Sequence, residues 1–287
     1  MNKNFTIRAF YSFVELDDFI RLKAPLLEFC KSIELKGTIL LAREGINSTV
    51  SATHENMQKF WDYLAQDERL KNIPHKDSFA HAQPFEKMKV RLKKEIVRMG
   101  VEDINLNNRG QYVKGEDWDK LISDPEVVLV DTRNDYEYLL GSFENALNPN
   151  TKDFRSFPKW VDENLDPSKH KKVAMFCTGG IRCEKSTALL KNKGFENVYH
   201  LDGGILQYFE DTKNKNDKWK GSCYVFDDRL AVDSELKPVD VVLCKHCTKP
   251  LKIEPVKLNN NQKGISCFEA GLPCCDETEA REQKVKL

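Results

Sequence analysis

The sequence predicts a multidomain protein of mixed α+β and α/β class: an N-terminal βαββαβ domain, a central α/β domain on a parallel sheet, and a small cysteine-rich C-terminal region. Three observations carry this. Strand and helix periodicities follow one another in βαββαβ order before residue 99. Short apolar runs then recur with helical stretches between them, the pattern of a parallel sheet. Finally, five of the nine cysteines crowd into residues 244–275.

The first domain, residues 1–99, opens with an alternating strand over 5–13. Leu16, Phe19, Ile20, Leu26, Leu27 and Cys30 fall at helical spacing, with a break or kink expected near Pro25. Residues 37–42 form a strand, 44–48 a turn, and 49–52 pair back. Met57, Phe60, Trp61 and Leu64 mark a second amphipathic helix. A last strand is expected over about 87–97. This order predicts a ferredoxin-like sandwich. Residues 100–118 are polar and aperiodic and read as a linker.

The central domain, 119–220, places buried strands at 126–131, 173–176 and 197–201. Ligand sites in parallel sheets lie at strand carboxyl ends, where Asp131 and Cys177 fall. Cys177-Thr178-Gly179-Gly180-Ile181-Arg182-Cys183 joins a strand end to a helix start. Unpaired amides of such a turn carry partial positive charge and favour a thiolate, the nucleophilic form of cysteine. Arg182 adds a full charge. Cys183 either resolves an oxidised or persulfidated Cys177 as a disulfide or packs as a small apolar residue. Asp131 and Arg133 read as structural support for the loop.

These residues carry a resemblance. Asp131-Thr132-Arg133, Glu137-Tyr138, Gly141 and Ala146, then the Cys177 loop, then Gly194-Phe195, Val198-Tyr199 and Leu201-Asp202-Gly203-Gly204-Ile205 resemble the blocks of a rhodanese domain, with Ser142 where histidine is usual. The resemblance implies that Cys177 carries sulfur as a persulfide. With Gly37-Thr38-Ile39-Leu40-Leu41-Ala42-Arg43-Glu44-Gly45-Ile46-Asn47 before it and Cys223-Tyr224-Val225-Phe226-Asp227-Asp228-Arg229 after it, nearly the whole chain resembles the rhodanese-containing tRNA uridine hydroxylases. That implies an acylphosphatase-like first domain, a tRNA anticodon partner, molecular oxygen as co-substrate, and 5-hydroxyuridine at the wobble position as product.

The alternatives are a sulfurtransferase passing persulfide sulfur to RNA or a small acceptor, and a non-catalytic RNA-binding or redox-sensing module. With 45 basic and 45 acidic residues, no global attraction to a polyanion is implied. Any RNA site is a local patch. In residues 87–93, Lys87, Lys89, Arg91 and Lys93 alternate with apolar residues, which puts four cations on one strand face. That face binds phosphates or is simply solvated. Arg43 joins the RNA-binding set. No flavin or nicotinamide fingerprint appears. In the tail, 221–287, Cys244 and Cys247 have zinc spacing, and Cys267 and Cys274 complete a set of four, with Cys275 or His246 as substitutes. A structural zinc site or a tail of reduced cysteines are both open. No membrane-length apolar run occurs, and Met1-Asn2-Lys3-Asn4-Phe5-Thr6 lacks a signal-peptide core. A cytoplasmic location is expected.

Overall fold

The structure, a computed structural model, describes residues 5–102, 104–213, 218–227, 229–244, 247 and 250–252. The chain divides into two compact units, Met1–Arg98 and Met99–Leu287.

In the first unit, β1 (Phe5–Phe13), α1 (Phe19–Ser32), β2 (Lys36–Ala42), β3 (Gly45–Ala52), α2 (His54–Leu64), β4 (His75–Ala80) and β5 (Met88–Leu92) follow in order. They build one sheet, β4-β1-β3-β2-β5. Its first four strands with the two helices are the expected ferredoxin-like βαββαβ arrangement. Period-two alternation turns Phe10, Ile39, Leu41, Ile46, Val50 and Val90 into a core with Leu26, Cys30, Met57, Phe60 and Leu64 of the helices.

Four expectations for this unit change. The basic strand is an added fifth, pairing in parallel with β2 and shorter than 87–97. The partner of β1 is β4, an edge strand whose polar His75-Lys76-Asp77-Ser78 run gives no alternation to read. Residues 45–48 are strand, not turn: Ala42 faces Gly45 directly. There a Cβ on Gly45, at φ +142°, would lie 2.0 Å from the Ser12 carbonyl, so only glycine lets β3 close on β1. Finally, α1 runs unbroken through Pro25. Pro25 and Arg21 are on the exposed side, where solvent is available to the Arg21 carbonyl that loses its donor.

The second unit contains β6 (Gln111–Val113), α3 (Gly115–Ile122), β7 (Val127–Asp131), α4 (Asp135–Leu140), β8 (Gly141–Phe143), α5 (Phe157–Asn164), β9 (Lys172–Phe176), α6 (Ile181–Asn192), β10 (Asn197–Leu201) and α7 (Gly204–Asp211). Short strands β11 (Trp219–Gly221), β12 (Cys223–Tyr224), β13 (Ala231–Val232), β14 (Val241–Leu243) and β15 (Pro250–Lys252) follow. The sheet is parallel, in the order β6-β10-β9-β7. The segment read as a linker contributes β6 and the start of α3, with Trp118 fully buried. Three strand residues and an eight-residue helix are too short to show a period.

The core of this unit is aromatic. Phe143 is met edge-on by Phe176, Tyr208 and Trp219 at 4.9, 4.8 and 5.2 Å, arrangements favoured by ring quadrupoles. Trp219, Cys223, Val225 and Val232 belong to the same buried cluster. The expected division at 220/221 therefore falls inside β11, which pairs with β8. Among the described residues no helix is long and apolar enough to cross a membrane.

Candidate active site

Cys177 directly follows β9, and α6 begins four residues later. Between them Gly180 takes a left-handed conformation, φ +94°, available at low cost only to glycine. This turns its N–H onto the Cys177 Sγ at 3.1 Å. The first turn of α6, with the Cys183 thiol, lies near enough to favour the charged form of that sulfur, while the Cys183 N–H donates to the Gly180 carbonyl at 2.9 Å.

The loop is held from behind by α7. The Ile205 N–H donates to the Cys177 carbonyl at 3.0 Å, and the Leu206 N–H to the Thr178 carbonyl at 3.2 Å. Gly204, at φ +68°, makes this approach possible. A Cβ there would lie 2.5 Å from the Cys177 carbonyl and 2.7 Å from both the Gly180 nitrogen and the Thr178 carbonyl. In front, a Cβ on Gly179 would meet nothing within 4 Å, so the loop leaves open space on that side.

Arg182 does not face the sulfur alone. Both its terminal nitrogens donate to the Glu137 carboxylate at 2.7 Å, and both side chains are buried. Glu137 also accepts from the Thr178 hydroxyl at 3.3 Å and, as part of a capping box on α4, from the Asn134 N–H at 3.1 Å. Burial opposes its ionisation, but Arg182 and these donors keep its carboxyl below the ordinary range.

The two thiols diverge. Burial opposes ionisation of Cys177, yet the Cys183 thiol, the Arg182 charge and the loop amides outweigh it and lower the thiol from 9.0 to about 6. Burial and the adjoining Cys177 push Cys183 well up. Cys183 also touches the Thr132 hydroxyl at 3.6 Å. The arrangement favours a thiolate on Cys177 beside a protonated Cys183 thiol, suited to nucleophilic attack, sulfur carriage or disulfide formation.

Asp131 and Arg133 form a separate, fully buried bidentate pair, with Arg133 nitrogens 2.9 and 2.6 Å from the carboxylate. Arg133 also donates to the Gly141 carbonyl, and Ser142 to Asp131 at 2.9 Å. Ser142 thus completes this support where histidine was expected.

Lys89 and Arg91 lie on β5 on the face opposite Val90, with Lys87 and Lys93 flanking. The exposed Arg43 guanidinium is engaged by Asp17 at 2.7 Å and Glu15 at 3.1 Å. Cys244 is buried and Cys247 half-buried, whereas Cys267 and Cys274, like Cys275 and His246, lie outside the described residues. Among the described residues no group of three or more His, Cys, Asp or Glu side chains is placed to hold a metal. Glu137 and Gly204 stood in the motif blocks without an assigned role. Glu137 followed a cap-forming Asn134 at capping-box spacing, and Gly203-Gly204 announced a turn at a strand end.

A family model described as the UPF0176 acylphosphatase-like domain matches residues 5–96, and one described as a rhodanese-like domain matches residues 115–211. Among solved structures, the chain is similar to the rhodanese-like domain of a protein from Anabaena sp., at 19% identity over 38% of this chain and 78% of that one, with a TM-score of 0.32. It is similar to an uncharacterized protein from Saccharomyces cerevisiae, at 22% identity over 38% of this chain and 98% of that one, TM-score 0.32. A third similar structure is a protein of unknown function from Rhodopseudomonas palustris described as a possible tyrosine phosphatase, at 19% identity over 37% and 83%, TM-score 0.30.

Proposed function

Because the chain is a rhodanese-family protein with a UPF0176 acylphosphatase-like domain in front, the architecture of the rhodanese-containing tRNA uridine hydroxylases, we propose that it hydroxylates wobble uridine in tRNA with molecular oxygen. The observation that carries the reading is Cys177 in its loop, its sulfur accepting from the Gly180 N–H at 3.1 Å, with the Cys183 thiol beside it.

The reaction replaces the uridine C5–H bond by C5–OH with one atom of oxygen gas. The other atom leaves as water, which takes two electrons and two protons. The pair supplies both electrons as the Cys177–Cys183 S–S bond forms; one proton comes from the Cys183 thiol and the other from solvent, because Cys177 is already a thiolate. An external thiol then resets the pair. Cys177 is the nucleophile, Cys183 its partner, and Arg182 the charge that favours the thiolate. Lys87, Lys89, Arg91 and Lys93 hold RNA phosphates. Arg43, already paired with carboxylates, has a smaller part.

The amide loop itself favours a second reading, transfer of persulfide sulfur from Cys177 to RNA. Inserting oxygen and replacing oxygen by sulfur add nearly the same nominal mass, so the test is labelling. Substrate tRNA incubated under heavy oxygen gas is digested and its modified uridine weighed. Incorporated label supports hydroxylation. A product of raised mass without label overturns hydroxylation by oxygen gas, and an exact mass that shows sulfur in place of oxygen establishes sulfur transfer instead.

A further inference from the structure

Beside the loop lies an aromatic ladder that the chemistry above does not use. Tyr136, in the first turn of α4, meets Tyr224 edge-on at 5.2 Å, and Tyr224 meets Phe226 edge-on at 5.1 Å. Alternation explains why the last two share a face: Cys223 and Val225 turn into the core, and Tyr224 and Phe226 turn away from it. Phe226 is 59% exposed. Leu139, three residues after Tyr136 on the same helix face, is 67% exposed.

The ladder is anchored to the catalytic loop twice. Glu137, next to Tyr136, holds Arg182 and Thr178. Cys223, next to Tyr224, is buried against the Thr178 side chain. Among the described residues the edge-to-face contacts leave the terminal Phe226 ring exposed, joined through Tyr224 and Tyr136 to neighbours of the nucleophile's loop. We propose that Phe226, backed by Tyr224 and Tyr136, is a stacking platform for an unpaired nucleobase of the RNA substrate. The inference rests on the RNA reading above. An unpaired loop base offers the flat π face that such a ring accepts, and stacking on aromatic side chains is how proteins hold splayed-out bases. The ladder supplies surface rather than sequence-specific hydrogen bonds, so it serves capture and orientation of the base. Phe226 is a positioning residue by this account.

The test is fluorescence anisotropy of a labelled anticodon stem-loop with the full chain. Phe226→Ala should weaken binding about ten-fold, the usual effect of losing one base–aromatic stack. Phe226→Trp should restore it, and Phe226→Leu should not. The thiolate titration of Cys177 should be unchanged in all three, which shows an intact loop. Wild-type affinity in Phe226→Ala, with stem-loop still bound, overturns the platform and leaves the RNA reading standing. Full affinity in Phe226→Leu also overturns it, because an apolar contact of the kind a protein partner makes would then suffice. If the wild-type chain binds no tRNA or stem-loop, the RNA reading and the platform fail together.

Discussion

The Cys177 loop and the strand β12 that carries Cys223 place two thiols in the same unit, both buried, with opposite chemistry. Cys177 is lowered to about 6, while burial raises Cys223 to about 12. Burial therefore does not decide reactivity here. What each sulfur faces does: Cys177 has the Cys183 thiol, the Arg182 charge and loop amides, with Gly180 donating at 3.1 Å, whereas the Cys223 sulfur donates to the Tyr224 carbonyl at 3.6 Å. One site aims N–H groups at sulfur and the other aims a carbonyl, a distinction made by a left-handed glycine and a helix start.

The comparison breaks most severely by removing what holds the loop. Glu137→Gln leaves the Arg182 charge buried without its carboxylate and should cost about 4 kcal/mol in chemical denaturation. With that counter-charge gone, the Cys177 titration should move further down. Gly204→Ala forces a Cβ onto three loop atoms in a left-handed conformation and should cost about 3 kcal/mol. It should also carry the Cys177 titration upward, toward that of Cys223. An unchanged titration midpoint would show that α7 does not shape the loop.

A smaller effect follows from linkage. The folded Cys177 titrates below the ordinary thiol value of 9.0, so its stabilisation is complete above about pH 9 and is lost as pH falls through about 6. Cys223 behaves oppositely: stability falls as pH rises from about 9 toward 12, because the unfolded thiol ionises first. Denaturation of Cys177→Ala and Cys223→Ala against wild type across pH should show these opposite slopes. A last change is Cys183→Ala. Loss of its thiol, the largest of the contributions that lower Cys177, should raise the Cys177 midpoint in ultraviolet thiolate absorbance, while single-turnover hydroxylation without added thiol should vanish. Persistence of that turnover would remove Cys183 as an electron source.

Much of this was legible because apolar runs and motif order are local signals. The strand that ends on Asp131, the strand that leads into Cys177, and the Gly180 turn follow directly from residues in sequence. The partners were not legible. Nothing in the spacing links Glu137 to Arg182, 45 residues apart, or sets Gly204 against the Cys177 carbonyl, because those contacts are made by the fold. Short polar edges such as β4 and β6 owe their place to a neighbouring strand and show no period. Arg43 read as a cation for RNA because its acidic partners, Glu15 and Asp17, lie 28 and 26 positions away.

Trp219, Cys223, Val225 and Val232 close the aromatic core around Phe143 and Phe176 although they follow the residues matched as rhodanese-like. The order of synthesis thereby gains a meaning. While the chain is still emerging from the ribosome, β9 and the Cys177 loop exist before the last walls of their own core. The reactive thiol reaches its full setting only when the segment after α7 has been made and folded back. A nascent chain stalled between α7 and β12 would hold every residue of the loop yet lack Cys223 behind Thr178, so the nucleophile is completed late, when the rest of the site is at hand.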